Sequence, residues 1–340
     1  MRFHNLRCEV CGSSSLKVVG KRCYRRAEMD KLDVYNAMRF KVLFEKWFPN
    51  QTEVELSSIY CVRCGLAIYQ PRPEPADLNA KYRYLAELGQ DYSKVAPYNS
   101  PTEIERSTLI YEYLSKRIRL RDVEDVLDYG GGDGRLMQAF VKAGKTCFNL
   151  DYSSSCIPSV RKLGDTLDDV GQDQKFDLIV CSHVIEHVAE PLSVIRRLAE
   201  HLKSGCWLYV EVPMEIWKAA PLQHEPVTHI NFFTPSSLWN LLYLAGLIEC
   251  ESRLTAYLHS SGTRPHGIRG LGRQPKEHIA PVFENLRQPE VEQFIRPAIS
   301  TCLRYICSNP RVLLYAVRRS LPFKPLLRKA FRKVARKRPA

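Results

Sequence analysis

The sequence predicts an α/β fold built on a doubly wound, mostly parallel sheet, and three observations lead there. Between residues 122 and 255, short apolar runs alternate with stretches of helical periodicity, the pattern a parallel sheet with crossover helices requires. One of those runs ends in a glycine-rich turn, Asp128-Tyr129-Gly130-Gly131-Gly132-Asp133-Gly134. The next run ends in a second acid, Asp151. Polar groups at the carboxyl ends of strands mark the edge where such sheets bind ligands.

The elements follow in order. Strands are expected at Asp125–Tyr129, Thr146–Leu150, Phe176–Ser182, Trp207–Val212 and Leu247–Ser252. Helices are expected near 134–143, 155–163, 191–202 and 235–245. Pro235 opens the last of these, at a position where its missing N–H costs least. Ahead of this domain (122–255) lie a cysteine-bearing segment (1–75), closed by the proline-rich YQPRPEP that reads as a connector, and a tyrosine-rich helical linker region (76–121). Behind it, 256–340 holds a Gly/Arg/His-rich loop at 259–274 and a basic amphipathic tail.

The glycine turn is physically specific. A backbone that must bend sharply and lie against a ligand cannot carry a Cβ there, and the helix that follows offers free N–H groups and a positive dipole end. Dinucleotide folds use the spacing G-x-G-x-x-G, which fails here because Arg135 follows Gly134. What remains, D-x-G-x-G-x-G, resembles motif I of class I methyltransferases. Three further stretches match that family in order: Asp151 at the second strand tip, Phe176–His183 with Val184–Val188, and Leu202-Lys203-Ser204-Gly205 before the next strand. The resemblance implies a Rossmann-like sheet, S-adenosyl-L-methionine as cofactor, and contacts to it from Asp128, Tyr129, Gly130, Gly131, Gly132, Gly134, Asp151, Asp168, Ser182 and His183. By contrast, Ala143-Gly144-Lys145-Thr146 imitates the end of a phosphate-binding loop, but Ala139 stands where its first glycine belongs. Gly144 reads as a helix cap.

Cys8-x-x-Cys11-Gly12 and Cys61-x-x-Cys64-Gly65 are two knuckles of the kind that aim four thiolates at one tetrahedral zinc. No ligand position would be open, so this zinc is structural and the N-terminal segment zinc-ribbon-like. Knuckles ahead of such a domain resemble methyltransferases of sugar and cell-surface glycan modification. The remaining cysteines read as reduced thiols.

Transfer of a methyl group to an alcohol requires a base. His187, His229 and His224 all fall after strand ends, and His187 or His229 is the expected catalytic base. The set His183-x-x-Glu186-His187 with His229 is also similar to the E-x-x-E-H cluster of ubiquinone-pathway and small-RNA O-methyltransferases. There the histidines would hold a metal, although His183 replaces the first acid. Helix capping by Glu186-His187 is the plain alternative.

Charge limits the partners. The net charge is +13, yet residues 311–340 carry eleven Lys/Arg and no acid, so the catalytic body is not basic and nucleic acid is the less favoured partner. The tail at 321–340 suits an anionic membrane surface, with nucleic acid or a solvated tail as alternatives. With neither an apolar leader nor a spanning segment in the sequence, the expected place is the cytoplasm, peripheral on the inner membrane face. The leading expectation is O-methylation of a sugar in cell-surface polysaccharide biosynthesis, on a small-molecule or glycan acceptor. The alternatives are a quinone or secondary-metabolite methyltransferase, an RNA 2′-O-methyltransferase, and a non-catalytic scaffold. Oligomeric state stays open.

Overall fold

The computed structural model describes residues 6–88, 101–152, 156–215, 226–259, 262–277 and 279–289. His224 and the tail at 321–340 therefore lie outside the described residues. Two sheets organise the rest. The larger has the order β10-β11-β8-β7-β4-β5-β6, from β4 (Asp125–Tyr129), β5 (Thr146–Leu150), β6 (Val160–Gly164), β7 (Phe176–Ser182), β8 (Leu202–Pro213), β10 (Ile248–His259) and β11 (Gly262–Arg273). Strands β4 to β8 run parallel, and β11 runs antiparallel to both β8 and β10.

Every residue of β7 is buried, as expected of a central strand covered on both faces. Because side chains alternate across a strand, the sheet feeds two cores. Leu127, Ile179, Cys181, Leu208 and Val210 share one with α5 (Pro191–Glu200) and α6 (Pro235–Leu244). Val126, Leu178, Val180 and Tyr209 share the other with α3 (Pro101–Ser115) and α4 (Gln138–Lys142). Helix α6 starts as its sequence predicts, with Pro235 in the first turn and Thr234 and Ser237 capping each other. Gly144, at φ +77°, closes the end of α4, in line with a cap rather than a phosphate loop.

Two expectations fail here. The stretch 155–163 does not form a helix: Val160–Gly164 is the edge strand β6. Pro158 restricts the residue before it away from helical angles, and the polar Arg161-Lys162 pair suits an exposed edge. Within the Gly/Arg/His-rich stretch expected as a loop, Gly262–Arg273 is the strand β11. Gly270 and Gly272 press on Leu238, Leu242 and Leu247, where an added Cβ would meet carbon at 3.0 Å. Ile268 turns to the same core while Leu271 turns to the opposite one. The glycines thus mask an ordinary strand alternation.

The smaller sheet has the order β1-β2-β3-β9, with β1 (Leu16–Arg25), β2 (Glu53–Cys61) and β3 (Ala67–Gln70) from the N-terminal segment. Its fourth strand, β9 (Asn231–Phe232), comes from the region after β8 and pairs antiparallel with β3. Helices α1 (Val34–Lys41) and α2 (Pro75–Leu88) complete this part. Pro71, Arg72 and Pro73 are buried while Glu74 and Pro75 are exposed, so the Pro-Arg-Pro centre of YQPRPEP is packed rather than solvated.

Candidate functional site

The carboxyl edge of β4, β7 and β8 gathers most of the residues singled out in the sequence. On the β4 side, Asp128 is fully buried beneath the glycine loop. A Cβ on Gly131 would lie 2.2 Å from Asp128 Oδ2 and 2.6 Å from Asn149 Oδ1, so only glycine fits. Gly132, at φ +59°, faces open space: nothing lies within 4 Å of a Cβ built there. Tight support on one side and room on the other make a cradle in which a ligand can meet bare backbone. Two bonds tie the loop to β5, from Gly130 N to Leu150 O (2.8 Å) and from Asn149 Nδ2 to the Gly132 carbonyl (2.8 Å). Asp151, just past β5, is partly exposed at the same edge. Burial raises the pKa of the Tyr129 hydroxyl, keeping it neutral. Asp168 is largely exposed, pairs with Arg197 of α5 at 2.5 Å and lies near enough to Tyr129 for its charge to act on that hydroxyl.

The β7 side carries the histidines. His183 sits at φ +58°, a left-handed conformation that costs a non-glycine residue about 1–3 kcal/mol and clusters at functional sites. Its ring turns to Glu186 (Nδ1 to Oε1, 3.1 Å) and Glu211 (Nε2 to Oε1, 3.6 Å). Burial and the charge of Arg106 act to lower its pKa, but the pull of these two carboxylates prevails and raises it. Ser182 bonds Glu211 Oε1 at 3.2 Å and accepts from Arg106 Nη2 at 2.5 Å. Glu211 also receives Arg269 Nε at 2.8 Å and the Tyr209 hydroxyl at 2.9 Å.

Glu186, His187 and His229 converge, with one donor atom from each within 4.8 Å of the others. The two imidazole rings lie 4.8 Å apart, centre to centre. His187 Nδ1 lies 2.7 Å from the Thr228 carbonyl oxygen. A carbonyl can only accept, so the proton sits on Nδ1 and Nε2 keeps its lone pair. His229 Nδ1 faces Glu215 Oε2 at 2.7 Å in the same fashion. Burial, and then the neighbouring His229 and Lys81, depress His187 to about 3 against the pull of Glu186. Burial opposes ionisation of Glu186, but His183, His187 and His229 hold its carboxyl at about 2. The set at neutral pH is therefore one carboxylate and a neutral His187. Tyr82 of α2 stands close enough to Glu186 and Asp151 to feel their charges.

Sequence reasoning missed the frame that holds this cluster. Glu211 has a signal in hindsight, a lone acid inside the apolar run WLYVEVP. Arg72, Lys81 and Asn231 have little. Lys81 donates to the carbonyls of Val227 and Thr228 at 2.9 and 3.3 Å, and Arg39 Nε reaches Thr228 Oγ1 at 3.2 Å.

The cysteine knuckles meet as expected. Cys8 and Cys64 sulfurs are 3.3 Å apart, Cys11 and Cys61 sulfurs 3.6 Å, and all four are buried. Interactions with the other three sulfurs hold the Cys61 thiol far below its ordinary range, and at Cys11 the opposing effect of Cys61 is outweighed by Cys64 and Cys8, so both favour thiolate. Gly12 and Gly65, at φ +66° and +87°, allow those turns.

Residues 102–248 match the family model described as a methyltransferase domain. A ubiquinone biosynthesis O-methyltransferase of Coxiella burnetii is 27% identical over 216 residues, covering 59% of this chain and 90% of the relative. Among solved structures, a SAM-dependent methyltransferase of Methanosarcina mazei aligns with TM-score 0.41 and 17% identity, over 48% of this chain and 98% of that one. The Burkholderia thailandensis 1,6-didemethyltoxoflavin-N1-methyltransferase, bound to S-adenosylhomocysteine, aligns with TM-score 0.44 and 15% identity, over 62% and 96%. Among the described residues, no helix is long and apolar enough to cross a membrane. The glycine cradle, the strand-end acids and the family match together identify residues 102–248 as a methyltransferase domain of the class I, S-adenosylmethionine-dependent type.

Proposed function

We propose that the chain methylates a hydroxyl group of a small, quinol-type acceptor, and that Glu186, His187 and His229 act on the acceptor side. The observation that carries this reading is their convergence beside the glycine cradle, with both rings anchored through Nδ1. The kinship to ubiquinone biosynthesis O-methyltransferases supports a quinol-type acceptor over the sugar expected from the knuckles. Asp128, Tyr129 and Gly130 to Gly134 would hold the methionyl part of the cofactor, and Asp151 its ribose. When bound, S-adenosylmethionine supplies an electrophilic methyl group; the residues of the chain orient the hydroxyl and take up its proton.

One carboxylate and two imidazoles form a donor set suited to a divalent cation, and the carbonyl and carboxylate partners of the rings are the outer shell that fixes ligand histidines. A cation there would acidify the acceptor hydroxyl. His187, depressed to about 3, is a weak proton acceptor by itself and better suited to ligation. A second reading is carried by the Glu215–His229 pair: a carboxylate on Nδ1 leaves Nε2 of His229 as a general base. For the four buried cysteines, whose sulfurs meet in opposed pairs, we propose structural zinc.

The test is a mass-spectrometric screen of demethylated quinols, catechols and sugars for the addition of one methyl group, before and after dialysis against a chelator. The expected result is methylation of a phenolic hydroxyl, lost on chelation and restored by a divalent cation. Full activity after chelation would leave His229 as the base and remove the cation.

A further inference from the structure

The geometry points to Arg72 as a positioning residue for the acceptor half of the site. We propose that its guanidinium fixes the spacing of Glu186, His187 and His229 by tying the loop after β7 to the segment leading into β9. The idea rests on the reading of those three residues given above.

Arg72 is 1% exposed. Its Nη1 donates to the Ile230 carbonyl at 3.1 Å. Its Nη2 donates to the Ala189 carbonyl and to Asn231 Oδ1, both at 2.7 Å. Ile230 follows His229 directly, and Ala189 lies two residues beyond His187. Asn231 completes the bracket: its Nδ2 donates to the carbonyls of Ile185 (2.8 Å) and Val188 (2.7 Å). The backbone N–H groups of Ile230 and Asn231 both reach the Glu186 carbonyl, at 2.9 and 3.1 Å. Both chain segments that bear the cluster are thus sewn together through one guanidinium and one amide.

A planar fork of N–H donors can serve several carbonyls at once, which a lysine ammonium on a flexible stem cannot reproduce. The buried cation has its counter-charge in Glu9, at 3.3 Å from Nε. Glu9 lies between Cys8 and Cys11, so the first knuckle holds the carboxylate that neutralises the bracket. The N-terminal segment would then be part of the active-site frame as well as a packing module.

The experiment compares full-length Arg72→Met and Arg72→Lys with the unaltered chain, each carrying its zinc. Three quantities are measured: S-adenosylmethionine affinity by calorimetry, Mn²⁺ affinity by electron paramagnetic resonance, and the ring ¹⁵N shifts of His187 at neutral pH. For Arg72→Met the expected outcome is cofactor affinity within about twofold, Mn²⁺ affinity reduced by about 10–100-fold, and a His187 ring moving from one tautomer to a mixture. Arg72→Lys should fall between. Unchanged Mn²⁺ affinity and unchanged ring shifts in Arg72→Met would overturn the proposal. If the unaltered chain takes no Mn²⁺, the cation reading fails, while the ring shifts still decide whether Arg72 positions His187. If Arg72→Met does not fold, Glu9→Gln retains the guanidinium and removes its counter-charge. It should shift the His187 ring signals in the same direction, and wild-type signals there would refute the role.

Discussion

The glycine loop at 128–134 and the cluster of Glu186, His187 and His229 lie on the same side of the fold, yet the chain assembles them differently. The loop is local. Its support comes from the strand that leads into it and from Asn149 and Leu150 on the adjacent strand. The cluster is remote. Its two histidine-bearing segments are held by Arg39, Arg72 and Lys81, all contributed by the first two helices and the buried turn between β3 and α2. A binding half that depends on neighbouring residues should tolerate changes elsewhere, whereas an acceptor half assembled from distant segments should not. The two halves ought therefore to fail separately.

The largest expected effect breaks the local half. Gly131→Ala places a Cβ 2.2 Å from a buried Asp128 carboxylate oxygen, and no rotation of a methyl group relieves that contact. Calorimetry should show cofactor affinity reduced on the order of 100-fold or more, equivalent to roughly 2.7 kcal/mol or more, with Mn²⁺ binding at the cluster kept. Loss of both together would show that the halves are one unit. The mirror experiment comes next. His187→Ala and His229→Ala should each lower kcat by about 10²–10⁴-fold, the range of a lost proton-transfer or ligand group, while cofactor affinity stays within about twofold. Either histidine variant with wild-type kcat would remove that residue from the acceptor half.

A smaller effect tests the reach of the N-terminal segment. Cys61→Ser leaves three of four sulfurs, and the metal content of the purified chain should drop below one zinc per molecule. Because a structural zinc contributes folding energy, the urea midpoint should fall as well. The comparison predicts an order within that variant: kcat should suffer more than cofactor affinity, since β3 pairs with β9 directly after His229. Equal losses would place the segment outside the acceptor half.

The same contrast explains what could be read from the sequence. The glycine loop, the buried strand Phe176–Ser182 and the cysteine knuckles are legible because each is a short-range pattern whose physics is complete within a few residues. The strand at 262–273 was hidden because Gly270 and Gly272 replace apolar side chains where α6 packs against the backbone. Arg72 was hidden for a related reason. Flanked by prolines, it looks like a solvated connector, and its burial follows from carbonyls more than a hundred residues away. The acceptor is not legible from the knuckles, because a knuckle reports on packing and not on what lies opposite the methyl donor.

The smallest effect serves as the control for this comparison, because it lies on the opposite edge of the same sheet. Asp177 Oδ2 accepts the backbone N–H groups of Glu124 and Asp125, both at 2.9 Å, and Oδ1 pairs with Lys203 at 3.0 Å. Burial alone would raise its pKa, but these donors outweigh it and hold the carboxyl below the ordinary 3.8. A depressed carboxylate contributes stability above its unfolded pKa, and that contribution disappears as pH falls through the folded value. Asp177→Asn should therefore cost about 1–3 kcal/mol near neutral pH. The urea midpoints of the two proteins should converge as pH drops below 3.8. Cofactor affinity and Mn²⁺ affinity should both stay at wild-type values, since neither half of the site draws support from that edge. If either moved with Asp177→Asn, global stability rather than separate local and remote frames would govern the site, and the contrast between the two halves would collapse.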